Sequence, residues 1–98
     1  MPDDAAKQLD WAKPAREAYL TTLAYIAVED PYTAALVEQR AEHAFSLILE
    51  QPGIGAPATR KGERRYPIPN TGHVIVYRTT RRGVRITLWH RARQKVRR

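Results

Sequence analysis

Glu63, Arg64, Arg65, Tyr66, His73, Tyr77, Arg78 and His90 lie between residues 63 and 90. Together they hold what metal-free cleavage of a phosphodiester requires. A base must take a proton from the attacking hydroxyl, an acid must protonate the leaving oxygen, and cations must hold the phosphate. Each residue also has a plainer use. His90 continues the alternation of Val84, Ile86 and Leu88, which suits a hydrogen-bonded histidine at the margin of a core. Arg78 follows the apolar run VIVY and serves equally for stacking, for pairing with a helix carboxylate or for phosphate binding. His73 stands where a loop becomes a strand and reads as exposed, whereas Tyr19, Tyr25 and Tyr32 read as packing residues of helices. No metal is expected, because the three histidines show no ligand spacing. No cofactor or small-molecule substrate is expected either: the segment PGIGAP lacks the lysine and following helix of a phosphate-binding loop.

The charge distribution narrows the partners. Residues 1–50 carry four Lys/Arg against nine Asp/Glu, and residues 51–98 carry thirteen against Glu63 alone. The second half therefore projects a positive field suited to phosphates or to an acidic protein segment. With 98 residues the chain suits a single domain, taken as 1–98 with a core of about 6–93 and a basic tail at 91–98. It has no cysteine, which excludes a disulfide scaffold and fits a reducing compartment. No apolar run has the length of a membrane span, and the first residues include Asp3 and Asp4. A cytoplasmic domain without membrane contact is the expectation.

These side chains need elements to position them. AKQLDWA (6–12) predicts a short strand with Leu9 and Trp11 inward. Pro14 then opens a helix whose inner stripe is Tyr19, Leu20, Leu23, Ile26 and Ala27. Asp30 and Pro31 supply the cap and first position of a second helix, with Ala34, Val37, Ala41, Ala44, Phe45 and Ile48 inside. Pro52 and the glycines that follow end it, and beyond them the apolar period changes from 3.6 to 2. RRYPIP predicts a short strand that lies on an edge or ends early, since Pro67 and Pro69 cannot donate to a central ladder. HVIVYRT is apolar on both parities, as a strand covered on both faces should be. VRITLWH alternates, with Val84, Ile86 and Leu88 on one side and Arg85, Thr87 and Trp89 on the other. Arg81-Arg82-Gly83 between them predicts a three-residue turn with a left-handed glycine. The tail RARQKVRR is compatible with a short terminal helix. The fold class is α+β: a helical hairpin on an antiparallel sheet, in the order β-α-α-β-β-β.

LAYIAVEDPYTA, a second helix, P-x-x-G and then GERRYPIPNTGHVIVYRTTRRGVRITLWHRAR together resemble the RelE/ParE toxin superfamily, over roughly Leu9 to Arg93. RRYPIP, VIVYR and the H-x-A-R ending within WHRAR carry most of the likeness and favour the ParE-like branch. The superfamily comprises toxins of bacterial type II toxin–antitoxin modules, called plasmid stabilisation proteins in older usage. The resemblance implies a cognate protein antitoxin whose C-terminal segment wraps the toxin. RelE-like members cut messenger RNA in the ribosomal A site, and ParE-like members are associated with poisoning of DNA gyrase.

RelE-like enzymes use a lysine/arginine cluster with a C-terminal tyrosine, or in relatives a glutamate and a histidine. Arg64 or Arg65, with Arg78 and His90, match part of such a set. No tyrosine follows Tyr77, however, so the C-terminal one is missing. The basic sheet face and tail place target or phosphate contacts at Arg65, Arg78, Arg85, Trp89, Arg91 and Arg93. An acidic amphipathic antitoxin segment is expected to meet Arg78, Arg85, Trp89 and Arg91. A gyrase-directed toxin is the leading expectation, and a ribosome-dependent mRNA endonuclease is the first alternative. A non-toxic nucleic-acid-binding module is the second, with Trp89 as its one stacking platform on the basic strand.

Overall fold

The computed structural model describes residues 7–92. Strand β1 (Gln8–Trp11) leads into helices α1 (Lys13–Glu29) and α2 (Pro31–Glu50). A short 3-10 turn, Pro52–Ile54, and the two-residue strand β2 (Ala56–Pro57) connect to β3 (Glu63–Ile68), β4 (His73–Thr79) and β5 (Gly83–Arg91). The α+β order expected from the sequence is therefore present, with β2 added. The expected tail helix lies largely beyond the described residues, as does Arg93. No described helix is long and apolar enough to cross a membrane.

Asp30 alone separates the two helices. Its Oδ1 accepts from the backbone N–H groups of Tyr32 (3.1 Å) and Thr33 (3.2 Å), and the Thr33 hydroxyl donates to Oδ2 at 2.6 Å. These bonds, led by the Thr33 hydroxyl, hold the Asp30 carboxyl below its ordinary pKa. The six residues expected on the inner side of α2 are the six that are buried. Tyr25 and Tyr32 were expected to pack and do not: they are 75% and 73% exposed. At 100° per residue Tyr25 sits about 120° round the helix from the buried Tyr19, and Tyr32 occupies the first turn after the corner.

The sheet runs β1-β5-β4-β3-β2. β2 to β5 are antiparallel, and β1 joins β5 in parallel, from Gln8 opposite Gly83 to Trp11 opposite Ile86. The sheet is thus mixed, because the chain leaving β1 crosses through the helical hairpin before reaching its neighbour. Gly83 stands where β1 comes closest. Its φ is 155°, and a Cβ there would collide with the Gln8 backbone. The turn before it is two residues long, Arg81-Arg82. Thr80 and Gly83 close it by exchanging backbone hydrogen bonds of 2.8 and 3.3 Å. The three-residue turn expected from the sequence is therefore shorter by one.

Both helices lie on one face of the sheet. Tyr19, Ala41, Phe45 and Ile48 pack there against Ile68, Ile75, Tyr77, Val84, Ile86 and Trp89. Trp11 stacks on Tyr19 at 5.3 Å and meets Phe45 edge-on at 5.3 Å. Pro67 lies on β3 beyond the reach of β2, which pairs only with Arg64 and Arg65, so its missing N–H deprives no ladder partner.

Candidate binding face of the sheet

One irregularity decides which side chains reach solvent. Leu88 pairs with Val76, but Ile86 pairs with Tyr77, so Thr87 is an extra residue in β5. This β-bulge reverses the alternation for the rest of the strand. Val84 and Ile86 face the helices as expected. Leu88 turns to the open face, where it is 50% exposed, and Trp89 turns inward to 4% exposure.

Trp89 was expected on the basic exposed face and is instead a core residue. Its Nε1–H donates to the Thr22 hydroxyl at 3.0 Å, and its ring meets Tyr19 edge-on at 4.7 Å. It also stacks on His73, 5.1 Å between centroids at 16°. His73, expected to be exposed, is buried beneath this stack. The His73 Nδ1 lies 3.0 Å from the Thr71 carbonyl, so that nitrogen carries the proton. Burial holds the His73 imidazole below its ordinary pKa, and the charges of Arg91 and His90 add to that. Tyr19 is likewise shifted: burial, then the carboxylates of Glu42 and Glu38, push its phenol up to about 12.

Two more of the candidates are structural. The Tyr77 hydroxyl donates to the Pro52 carbonyl at 2.7 Å and accepts from the Gly55 N–H at 3.0 Å. Arg64 Nη1 donates to the Gly55 carbonyl at 2.8 Å. Both side chains fasten the segment that follows α2 onto the sheet. A Cβ at Gly55 would stand 2.7 Å from the Tyr77 hydroxyl, so this close approach requires glycine. Tyr66 also points to the helix side and packs against the core.

The open face keeps the remainder. Glu63, Arg65, Thr87, Leu88 and His90, with Arg60 from the β2–β3 loop, line a shallow hollow of about 510 Å³. His90 was expected at the core margin and is exposed, because the bulge carried it over with Leu88. Its Nδ1 lies 3.0 Å from the Arg91 carbonyl. The Thr87 hydroxyl is 3.2 Å from both Glu63 Oε2 and the Val76 carbonyl oxygen and can donate to one of them. Arg78 sits opposite Glu63 on one side and Arg85 on the other. Arg85 is engaged by Asp10 of β1. Among the described residues the ion pairs are this one and Lys13–Glu17, so Arg65 and Arg78 belong to none. Arg91 falls opposite His73, at the rim of the helix side.

The structure therefore gathers Arg65, Arg78, Arg85 and His90 on one face and removes Arg64 and Trp89 from it. Leu88, Trp89 and His90 are the residues that strand parity alone assigned to the wrong side. No cluster of ligating side chains suited to a metal occurs among the described residues.

The model of the family described as "ParE toxin of type II toxin-antitoxin system, parDE" matches residues 9–95. This chain belongs to the ParE toxin family. A protein of Sinorhizobium fredii provisionally named a toxin, Y4kP, is 30% identical over 88 residues, covering 90% of this chain and 92% of that protein. A structure of the chromosomal ParDE toxin–antitoxin system of P. aeruginosa superimposes with a TM-score of 0.76 at 16% identity. That match covers 90% of this chain and 98% of that one. The isolated RelE toxin of E. coli gives 0.65 at 16% identity, covering 92% and 88%. A RelE mutant bound to a peptide of the antitoxin RelB gives 0.64 at 15% identity, covering 92% and 87%. These three likenesses establish the ParE/RelE fold.

Proposed function

We propose that this ParE-family protein is a growth-arresting toxin that acts on DNA gyrase and is neutralised by a protein antitoxin seated on the open face of the sheet. The observation that carries the antitoxin assignment is the pairing of half-exposed Leu88 with Arg65, Arg78 and His90, none of which is spent on the fold. An acidic amphipathic segment matches this surface, with apolar side chains against Leu88 and carboxylates against the arginines. Such a segment folds as it binds, so it gains affinity over a large area while losing chain entropy. The RelE mutant held by an antitoxin peptide supports a protein antitoxin as the partner, by analogy of fold. Family membership and the inward-turned phenols of Tyr66 and Tyr77 support gyrase over ribosome-dependent mRNA cleavage.

A second reading has one observation in its favour: Glu63, Arg65 and His90 line the same hollow, which gives it a carboxylate, a cation and an imidazole. The two readings separate in purified assays. The gyrase reading expects supercoiling by gyrase to be inhibited and ribosome–mRNA toeprints to show no new A-site ends. New A-site ends with unaffected supercoiling would replace it with the endonuclease. Induction should arrest growth, and coexpression of the adjacent reading frame should restore it. In that rescue assay the pair Arg65→Glu and Leu88→Glu should cut affinity for the adjacent frame's product at least tenfold, with the fold retained.

A further inference from the structure

The most basic end of the described chain adjoins this face and shares Arg78 with it. Arg81 and Arg82 form the whole of the β4–β5 turn, and both are exposed. Thr79 and Thr80 precede them, and Arg78 follows one step back along β4. The Thr80 hydroxyl accepts from the N–H groups of Gly83 (3.1 Å) and Arg82 (3.3 Å), which holds the turn in one shape. The carboxylate beside it is Asp10, and that group is engaged by Arg85. Together with Gln8, Leu9 and Asp10, the turn borders a second hollow of about 500 Å³.

We propose that the Arg81-Arg82 turn, with Arg78, docks on the phosphate backbone of duplex DNA. Three contrasts favour that ligand. Leu88 gives the open face an apolar anchor of the kind a protein interface needs, while the turn offers only guanidinium and hydroxyl groups. Backbone phosphates require nothing more than such donors. The turn also lacks an aromatic side chain on which an unpaired base could stack, which counts against single strands. Finally, a two-stranded turn enters the B-form major groove, about 12 Å wide, with phosphates on both sides. The deep, narrow groove of an RNA duplex does not admit it. This contact does not depend on gyrase being the target.

The test is fluorescence anisotropy of the full chain with a labelled 20-base-pair DNA of arbitrary sequence, between 20 and 200 mM KCl. Arg81→Gln with Arg82→Gln should lower the magnitude of the log K against log salt slope by about 1.8 and weaken binding roughly 10- to 60-fold at 0.1 M salt. Arg81→Lys with Arg82→Lys should keep most of the slope. Neutralising Lys95, Arg97 and Arg98 instead should leave the difference between turn variants in place, which separates the turn from the tail. Absence of binding at 20 mM salt, an unchanged slope in the glutamine variant, or tighter binding to polyglutamate, single strands or duplex RNA would each overturn the proposal.

Discussion

The two faces of the sheet use the same residue types for opposite purposes. On the helix side an indole, a phenol, an imidazole and a guanidinium (Trp89, Tyr77, His73 and Arg64) each have a partner inside the fold. On the open face Arg65, Arg78 and His90 point to solvent and contribute no comparable bond to the core. A buried polar group left unpaired costs far more than an exposed one, so the inner set is fixed by stability. The outer set is left available to a ligand. Chemical identity therefore says little about role in this chain; the side of the strand says most of it.

Adjacent residues on β5 give the sharpest way to break this contrast. Trp89→Ala should destabilise the protein by about 3–5 kcal/mol in urea unfolding, since it removes a buried ring and a hydrogen bond. Leu88→Ala, one residue away, should cost less than about 1 kcal/mol because half of that side chain is already wet. Equal losses would mean that the bulge at Thr87 does not exist.

Tyr77→Phe comes next. It deprives the Pro52 carbonyl and the Gly55 N–H of their partner and should cost about 1–3 kcal/mol. Arg65→Ala on the opposite face should stay within about 0.5 kcal/mol. A phenylalanine variant as stable as the parent would show that the segment after α2 is held by other contacts.

The smallest effect is in pH. The folded state holds His73 below its ordinary pKa of 6.5, so acid adds a proton to the unfolded chain first. Its contribution to stability is complete above pH 6.5 and is lost as the pH falls through the lower folded value. Urea midpoints should therefore decline between pH 7.5 and 5.5, and His73→Gln should flatten that decline. A profile unchanged by the substitution would put another group in charge of it.

Much of the scaffold was legible from local pattern. The corner at Asp30 was readable because its cap and Pro31 act within a few residues of themselves. The inner stripe of α2 was readable because its period is that of the helix. The family was legible from the order of short motifs along the chain. The site was less legible. Strand parity predicted Val84 and Ile86 correctly, then failed at Leu88, Trp89 and His90, since an inserted residue leaves no mark in the strand's own alternation. His73 looked like a loop residue and became the floor under Trp89.

The sequence by itself determined the helical hairpin, the three-stranded meander and the concentration of cations in residues 51–98, because each follows from near-neighbour spacing or from composition. Only the tertiary structure decided that β1 lies parallel beside β5, where Asp10 engages Arg85, and that Thr87 bulges, which sets the side that Leu88, Trp89 and His90 face. Those outcomes depend on pairing between distant strands, where one extra residue on one side exchanges the inner face for the outer.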